Sequence, residues 1–398
     1  MSRSPTSPDP QLGRLLDEGY DVTLVGGMLI VRHVPYVAPD GGGVRVGTLA
    51  VMASVAGDVL VRPRSHTAWW LGETPCDALG HPLETLIVGE DPREIMPGVP
   101  ADLQLCNKPK GREFFDHHEY VTTYVAIIGA HAQRLDPLAT ARVGRSTRTS
   151  STAEPFCYAD TATARAGTGA AAGRIAGRSV GIVGLGGTGS YVLDLVAKCP
   201  VQAIHLYDAD RFEQHNAFRC PGAFGIEDLR AAMPKVELLT RAYSRLHRRI
   251  VPHRMRIDAT TAPMLDLHDF VFVCVDDGAA RTPILAHLAA RGIPYVDVGM
   301  GLSMGDGGIV GAVRTTLGTP DTHDAVASRI PSTGDPGGLY AANVQIAELN
   351  ALNAALAVIA WKRMAGFYAT GRDFDHGVFV VETGALHREG RGDRDGTK

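Results

Sequence analysis

The feature that most constrains the fold of this chain is a short apolar segment that runs through a glycine-rich turn into a helix. Residues 179–184 read SVGIVG, and the residues behind them read LGGTGSYVLDLVAKC. An unbroken apolar run of this length is typical of a parallel strand that is buried on both faces. The glycines let the backbone come close to a ligand at the helix N-terminus. The segment therefore predicts a strand–turn–helix unit of an α/β sheet.

Further strands of the same kind follow along the chain. Apolar runs that end in acids or glycine occupy residues 203–210 (AIHLYDAD), 269–277 (DFVFVCVDD) and 293–299 (IPYVDVG), and residues 279–291 suit a helix. This alternation predicts a doubly wound, mostly parallel, Rossmann-like sheet. Such sheets bind ligands at the carboxyl ends of their strands, where the glycines and acids of this chain stand.

The remaining sequence predicts a second, smaller α+β domain in the N-terminal part of the chain. Its β-branched runs are broken by glycine turns and are followed by helical spacing at 112–135. A long apolar helix at 340–368 suits packing or dimerisation. We expect a disordered N-terminus (1–11), an α+β accessory domain (12–135), a linker (136–173), the α/β domain (174–386) and a disordered tail (387–398).

Composition excludes several broad classes. The formal net charge is -4, which argues against a general nucleic-acid binder. No uncharged apolar stretch of about 18 residues is present, so no membrane span is expected, and residues 1–11 lack the apolar centre of a signal peptide. The six cysteines form no CxxC pair, which argues against a zinc site or a disulfide framework. A cytoplasmic protein is expected.

The glycine loop alone also suits an NAD(P) site, in which one acid after the second strand holds a ribose. The polar residues beyond the loop favour another chemistry, because hydride transfer has no need of them. They include acids suited to a ribose and a metal, and cationic or amide side chains suited to a triphosphate: Asp208, Asp210, Asn216, Arg219, Lys235 and Asp276.

Together these motifs resemble the ThiF/MoeB family, the adenylating domain shared with ubiquitin-activating enzymes. The family pattern GxGGxG(S), DxD, NxxR, a lysine in a PKV/E context and an acidic pair with a downstream arginine is met in order over about 174–316. The N-terminal half is similar to the extension of certain bacterial ThiF-type proteins associated with ubiquitin-like modifiers. The resemblance implies a nucleotide site built from Gly184, Gly186, Gly187, Gly189, Ser190, Asp208, Asp210, Asn216, Arg219 and Lys235.

The resemblance also implies individual roles. Asp208 would bind the ribose hydroxyls of ATP, Asp276 would hold Mg²⁺, and the remaining polar residues would contact the phosphates. Arg219 offers a bidentate fork and Lys235 a point charge. Members of the family often use an arginine ahead of the first strand to reach the ATP of a partner subunit, and Arg165 is the candidate here, although its spacing from the strand is short.

The implied function is ATP-dependent adenylation of the C-terminal glycine of a ubiquitin-like or sulfur-carrier-like protein by a homodimer. The chain departs from the family in lacking both the zinc-binding CxxC pairs and the usual catalytic cysteine after the last sheet strands. A thioester, if one forms, would therefore need Cys76, Cys106 or Cys220. Adenylation of a small molecule or a tRNA base, an NAD(P) oxidoreductase and a non-catalytic nucleotide-binding partner protein remain as alternatives.

Overall fold

The computed structural model of the chain describes residues 9–39, 43–144, 154–331, 345–371 and 373–390. The chain divides into two compact units, Met1–Gly173 and Arg174–Lys398. Parts of the predicted N-terminus (1–8), linker (145–153), C-terminal helix (340–344) and tail (391–398) lie outside the described residues. Among the described helices, none is both long enough and apolar enough to cross a bilayer.

The described part of the N-terminal unit is built on a six-stranded antiparallel sheet with the order β1-β2-β3-β6-β10-β7, and β4-β5 and β8-β9 form separate two-stranded ribbons. The strands are β1 (Val22–Val25), β2 (Met28–Val37), β3 (Val44–Met52), β4 (Val55–Ala56), β5 (Val59–Leu60), β6 (Thr67–Leu71), β7 (Ile87–Gly89), β8 (Arg93–Met96), β9 (Val99–Ala101) and β10 (Leu103–Cys106). The helices are α1 (Pro10–Asp17), α2 (His117–Leu135), α3 (Thr161–Ala166) and α4 (Gly169–Gly173).

Helix α2 covers one face of this sheet with a row of buried side chains that includes Tyr120, Tyr124 and Ile128. The helix begins later than its apolar spacing predicts, because the Asp116 carboxylate accepts the Glu119 N–H at 2.7 Å and so caps the first turn. The other face packs against β8, β9 and α3 through a smaller apolar cluster. The unit thus has a core of its own.

Three predicted disordered or linking segments are wrong where the structure describes them. Helix α1 occupies the end of the predicted disordered N-terminus, anchored by Asp9, which accepts the N–H groups of Leu12 and Leu60 at 2.7 and 2.5 Å. Helices α3 and α4 lie in the predicted linker, and Asp160 caps the first of them. The first residues of the predicted tail (387–390) belong to a strand, because main-chain pairing extends that strand to Gly390.

In the C-terminal unit the described residues form an eight-stranded sheet with the order β13-β12-β11-β14-β15-β16-β17-β18. The strands are β11 (Ser179–Val183), β12 (Ala203–Tyr207), β13 (Ile250–His253), β14 (Phe270–Val273), β15 (Tyr295–Gly305), β16 (Gly308–Gly318), β17 (Phe374–Val380) and β18 (Ala385–Gly390). The helices are α5 (Gly187–Val196), α6 (Gln214–Ala217), α7 (Ile226–Ala231), α8 (Lys235–Tyr243), a 3₁₀ helix (Ala262–Leu267), α9 (Gly278–Arg291), α10 (His323–Ala327) and α11 (Ala347–Met364).

Strands β13, β12, β11, β14 and β15 pair in parallel, and β16, β17 and β18 extend the sheet with antiparallel pairs. One face packs on α5, α8 and α11, and the other packs on α9 and the 3₁₀ helix. The doubly wound α/β fold beside a smaller N-terminal domain is therefore confirmed. The strand order runs outwards in opposite directions from β11 and from β14. Doubly wound sheets bind ligands at this switch point.

The turn from β11 into α5 is packed so closely that side chains are excluded. Gly184 has φ +87°, and a Cβ there would lie 2.7 Å from the Cys274 carbonyl oxygen. A Cβ on Gly187 would lie 2.1 Å from Asn350 Nδ2, and one on Gly189 would lie 1.9 Å from the Gly184 carbonyl oxygen. Gly186 differs, because nothing lies within 4 Å of a Cβ added there.

This contrast predicts that two glycine-to-alanine changes differ in their effect on the free energy of unfolding. In Gly189→Ala the gain in helix propensity, about 1 kcal/mol, is outweighed by the clash with backbone, and we expect the free energy of unfolding to fall by about 2 kcal/mol or more. Gly186→Ala, at φ -71°, should be nearly neutral. Denaturant unfolding of both variants measures this, and equal stabilities would contradict the packing described.

A second packed feature is a cluster of three histidines, His205, His253 and His268, that pack against one another and against Tyr207 of β12. Both ring nitrogens of His268 are engaged, with Nε2 2.9 Å from the Tyr207 hydroxyl and Nδ1 3.1 Å from the Ser179 hydroxyl. His205 Nδ1 lies 3.0 Å from His253 Nε2. Burial, with a smaller contribution from the neighbouring histidines, lowers the pKa of His268 from 6.5 to about 3. Burial also lowers the pKa of His205 and of His253.

The histidine cluster predicts acid sensitivity. Because the folded pKa of His268 lies below its unfolded value, the unfolded chain binds more protons, and stability falls as pH drops from about 6.5 towards 3. We expect the thermal midpoint to fall between pH 7.5 and 4.5, and to fall less steeply in His268→Asn. The exposed His387→Asn variant should keep the wild-type slope. An unchanged slope in His268→Asn would show that this histidine does not cause the effect.

Candidate functional site

An open cleft of about 1070 Å³ lies at the carboxyl ends of β11, β12 and β14. It brings together the residues that the sequence pattern singled out on these strands and on the segments behind them. The sequence-predicted residues that line it are Gly184, Gly186, Gly187, Asp208, Asp210, Asn216, Arg219, Lys235 and Asp276. Gly189 and Ser190 stand just behind this lining, in the first turn of α5, and the Ser190 hydroxyl donates to the Gly187 carbonyl oxygen at 2.7 Å.

One wall of the cleft is the N-terminus of α5. Gly186 is the N-cap residue, and no side chain in the described chain caps this end of the helix. The first N–H groups of a helix lack intrahelical partners, and the helix dipole adds partial positive charge there. The turn is therefore able to bind an anion such as a phosphate group.

Asp208 joins the end of β12 to the glycine turn. Its two carboxylate oxygens accept the N–H groups of Leu185 at 2.7 Å and of Asp210 at 2.8 Å. Burial raises the pKa of this carboxyl, while Lys235 and the two N–H donors act against that rise. The carboxylate is thus held rigidly at the strand end, where the Rossmann fold places an acid against a ribose.

Lys235 is paired with both acids of the DxD motif. Its Nζ donates to Asp210 Oδ2 at 2.8 Å and lies 3.7 Å from Asp208 Oδ1. The ammonium group lowers the pKa of Asp210. The Lys235 N–H also donates to the Asp210 carbonyl oxygen at 2.9 Å, which fixes the start of α8 beside the strand end. The structure therefore places this lysine in the cleft with a carboxylate as its present partner.

Asn216 lies on the short helix α6, and Arg219 lies in the turn that follows this helix. Asn216 is 1% exposed, and its Oδ1 accepts the Glu213 N–H at 2.9 Å. The Arg219 N–H donates to the Asn216 carbonyl oxygen at 3.0 Å, which fixes the backbone of Arg219 relative to that of Asn216. Arg219 Nε is buried and has no hydrogen-bond partner among the described residues. The arginine is half-buried and lines the cleft, which suits a role in contacting an anion.

Two acids follow β14 and differ in what they do. The Asp277 carboxylate caps α9 by accepting the Ala279 N–H at 2.8 Å. Asp276 is exposed in the cleft, and the N-cap residue of α9 is its neighbour Asp277. The described residues contain no cluster of three or more acid, histidine or cysteine side chains that could hold a metal ion.

The described residues that line the cleft do not include Arg165 or any of the three candidate cysteines. Arg165 lies on α3 in the N-terminal unit with its side chain exposed, and its contact with ATP stays a prediction. Cys76 and Cys220 are buried, and burial raises the pKa of the Cys220 thiol. Cys106 is partly exposed at the end of β10.

The sequence interpretation singled out Arg281, the arginine after the acidic pair, but missed Asp297 and Arg314, which form a buried charge cluster with it. Arg281 Nε lies 3.0 Å from Asp297 Oδ1, and its Nη2 donates to the Val275 carbonyl oxygen at 2.6 Å. Arg314 Nη2 lies 2.5 Å from the other oxygen of Asp297. The arginine after the acidic pair thus holds the end of β14 rather than standing free in the cleft. The sequence signal for this charge cluster was the aspartate within the apolar run IPYVDVG at residues 293–299.

Asn350 is a second residue that the sequence interpretation missed. It lies on α11, the helix predicted for packing, yet it lines the cleft beside the glycine turn. Its Oδ1 accepts the Thr188 hydroxyl at 2.8 Å. Two asparagines within an otherwise apolar helix, Asn350 and Asn353, were the signal for this role.

Comparison with known proteins agrees with this architecture. Residues 164–357 match the model of the ThiF family, and residues 10–161 match a domain of unknown function, DUF6791. A stretch of 142 residues is 28% identical to ubiquitin-like modifier-activating enzyme 5 of Drosophila mojavensis and covers 32% of this chain. The match spans only about a third (35%) of that relative's length.

Solved structures with similar folds include MccB of E. coli with ATP, at 18% identity and a TM-score of 0.42, covering 56% of this chain and 68% of MccB. PaaA is similar at 14% identity and a TM-score of 0.42, covering 56% of this chain and 75% of PaaA. The family match covers the glycine turn, the DxD acids, the NxxR segment, Lys235 and Asp276 in one stretch. Residues 164–357 of this chain therefore form a ThiF family domain.

Proposed function

We propose that this chain catalyses ATP-dependent adenylation of the C-terminal glycine carboxylate of a ubiquitin-like or sulfur-carrier-like protein, with release of pyrophosphate. The observation that carries the proposal is the convergence in one cleft of an uncapped helix N-terminus, a rigid acid at the β12 end and the cationic side chains of Arg219 and Lys235. The ThiF family match and the partial similarity to a ubiquitin-like modifier-activating enzyme support it.

The reaction needs charge neutralisation more than proton transfer. A C-terminal carboxyl, with a pKa near 3.5, is already ionised at neutral pH and needs no general base. One of its oxygens bonds to the α-phosphorus of ATP, and the bond from that phosphorus to the oxygen that bridges to the β-phosphate breaks. Pyrophosphate leaves with the bonding electrons, and a mixed carboxylic–phosphoric anhydride remains. The barrier comes from bringing two anions together, so positioned cations and N–H donors supply the catalysis.

The cleft residues suit particular parts of ATP. Asp208 would accept the ribose hydroxyls, while the α5 N-terminus, Asn216 and Arg219 would contact the phosphates. Lys235 has to exchange its Asp210 partner for a phosphate oxygen. Because Asp210 is largely exposed, its side chain being 64% accessible, water can replace the ammonium group there when the lysine turns away.

Magnesium fits the donor set in a limited way. Mg²⁺ prefers oxygen ligands and is usually held by one or two carboxylates together with substrate phosphates. Asp276 offers one such carboxylate at the cleft, and the described residues offer no complete cage of their own. Asp276 would therefore hold the ion jointly with ATP, and the ion would offset phosphate charge.

The proposed dimer and the arginine of the N-terminal unit belong to the same hypothesis. In a homodimer Arg165 would act on the ATP of the partner subunit, and its exposure on α3 is compatible with that role. If it does, Arg165→Ala on the inactive-cleft subunit of a mixed dimer should lower exchange at the intact cleft of its partner, whereas the same change on the intact-cleft subunit should not.

The central prediction concerns isotope exchange. Labelled pyrophosphate should exchange into ATP when a ubiquitin-like protein ending in glycine is present. Asp276→Asn should reduce that exchange by about 100-fold or more, comparable to the loss of one oxyanion donor. The exposed Asp306→Asn, at the tip of the β15–β16 hairpin, is the matched control and should keep the wild-type rate.

Several outcomes would contradict this assignment. Wild-type exchange in Asp276→Asn would remove the metal role of that residue. Exchange that requires a small molecule or a tRNA instead of a protein tail would assign a different adenylation substrate. Nucleotide binding without exchange against any carrier would identify a non-catalytic binding protein.

A second prediction concerns the thiol that would accept an activated tail. Cys220 is buried beside the cleft and its pKa is raised, so little thiolate forms at neutral pH. Cys220→Ser should therefore leave carrier-dependent exchange and any thioester unchanged, whereas Cys106→Ser should remove the thioester and keep the exchange. Gel shifts that reverse with dithiothreitol report the thioester, and its loss in Cys220→Ser alone would overturn the assignment.

A further inference from the structure

Asn350 carries a hydrogen-bond donor that the fold leaves unused. The residue is 1% exposed and lies near the start of α11, where it lines the cleft. Its Oδ1 accepts the Thr188 hydroxyl at 2.8 Å, which sets the orientation of the amide. Its Nδ2 has no hydrogen-bond partner among the described residues. A buried amide nitrogen without a partner costs free energy, so its retention needs a reason.

The surroundings of this nitrogen favour an anion. A Cβ on Gly187 would lie 2.1 Å from Nδ2, so the amide rests directly against the first residue of α5. The same helix end has no side-chain cap and carries the partial positive charge of the dipole. Thr188, which orients the amide, is the second residue of that helix. An amide nitrogen without a partner on α11 and an uncapped N-terminus on α5 therefore lie next to each other at the glycine turn.

Asn353, one turn further along α11, also lines the cleft but differs from Asn350 in that both of its polar groups have partners within the fold. Its Nδ2 donates to the Gly299 carbonyl oxygen at 3.1 Å, and its Oδ1 accepts the Thr315 hydroxyl at 3.0 Å. Both of its polar groups are used in tying α11 to β15 and β16. Asn350 has the same side chain on the same helix and uses only its oxygen in this way.

We propose that Asn350 Nδ2 donates a hydrogen bond to a phosphate oxygen of the bound nucleotide. This inference rests on the proposed adenylating function and adds one residue to it. The nitrogen is almost closed to water in the structure, so contact requires a small movement of the turn in front of it. Gly186 leaves room for such a movement, because nothing lies within 4 Å of a Cβ added there.

The test compares nucleotides that differ only in their phosphates. Asn350→Asp keeps the oxygen that accepts from Thr188 and replaces the donor with an anion of the same shape. Calorimetric titration of the full chain with ATP, ADP, AMP and adenosine should show about tenfold or greater weakening for a phosphate-bearing nucleotide, since a hydrogen bond to a charged group is lost. Binding of adenosine should change by less than about twofold.

Two further variants keep the result interpretable. Asn350→Ala removes the donor without adding charge and should weaken ATP binding less than Asn350→Asp does. Asn353→Ala should lower the thermal midpoint and leave the ratio of ATP to adenosine affinity at its wild-type value. If Asn350→Asp does not fold, the same ratio measured on Asn350→Ala decides the question.

The outcomes separate this inference from the proposed function. An unchanged ratio of ATP to adenosine affinity in a folded Asn350 variant overturns the phosphate contact, even if the wild-type chain exchanges pyrophosphate normally. A wild-type chain that binds no ATP overturns the proposed function itself, whatever the variants do. A selective loss for phosphate-bearing nucleotides supports the contact.

Discussion

The close packing of the turn between β11 and α5 against the end of β14 and the Asn350 side chain is the constraint on which the site depends. A side chain at Gly184, Gly187 or Gly189 would overlap the end of β14, the Asn350 amide or the turn itself. Because the turn packs so closely against its neighbours, the N-terminus of α5 is held at the point between β11 and β14 where the strand order switches direction. The anion site thus follows from packing, and the acids and cations on the next segments are arranged around it.

Electrostatic pairing inside the C-terminal unit explains how so many charges are held near one cleft. Lys235 lies between the two DxD acids, and Asp297 lies between Arg281 and Arg314. Buried charges are tolerated when partners offset the loss of hydration, and removing one partner of such a pair is strongly destabilising. Substitutions of Asp297 are therefore expected to destabilise the fold, which makes the exposed Asp276 the cleaner probe of the proposed chemistry.

Local patterns in the sequence predicted the elements that carry the glycine turn, the acids and Lys235, because each such pattern is a run of adjacent residues. Contacts between distant residues were beyond such patterns: Asn350 lies 162 positions from Thr188, and Arg314 meets Asp297 only through strand pairing. The predicted tail and linker were wrong because composition is a weak guide to order. Single capping contacts, such as those of Asp9 and Asp160, decide whether a polar segment forms a helix.

The pairing of Lys235 with Asp208 and Asp210 has a consequence for selectivity. A sugar hydroxyl that binds the Asp208 carboxylate would weaken the longer of the two contacts that hold the ammonium group, and a phosphate would then have only Asp210 to displace. Inorganic pyrophosphate or a polyphosphate chain carries no ribose and so lacks this means of freeing the cation. Binding of the nucleoside would in this way ease neutralisation of the phosphates, and polyanions without a ribose would compete less well for the cleft.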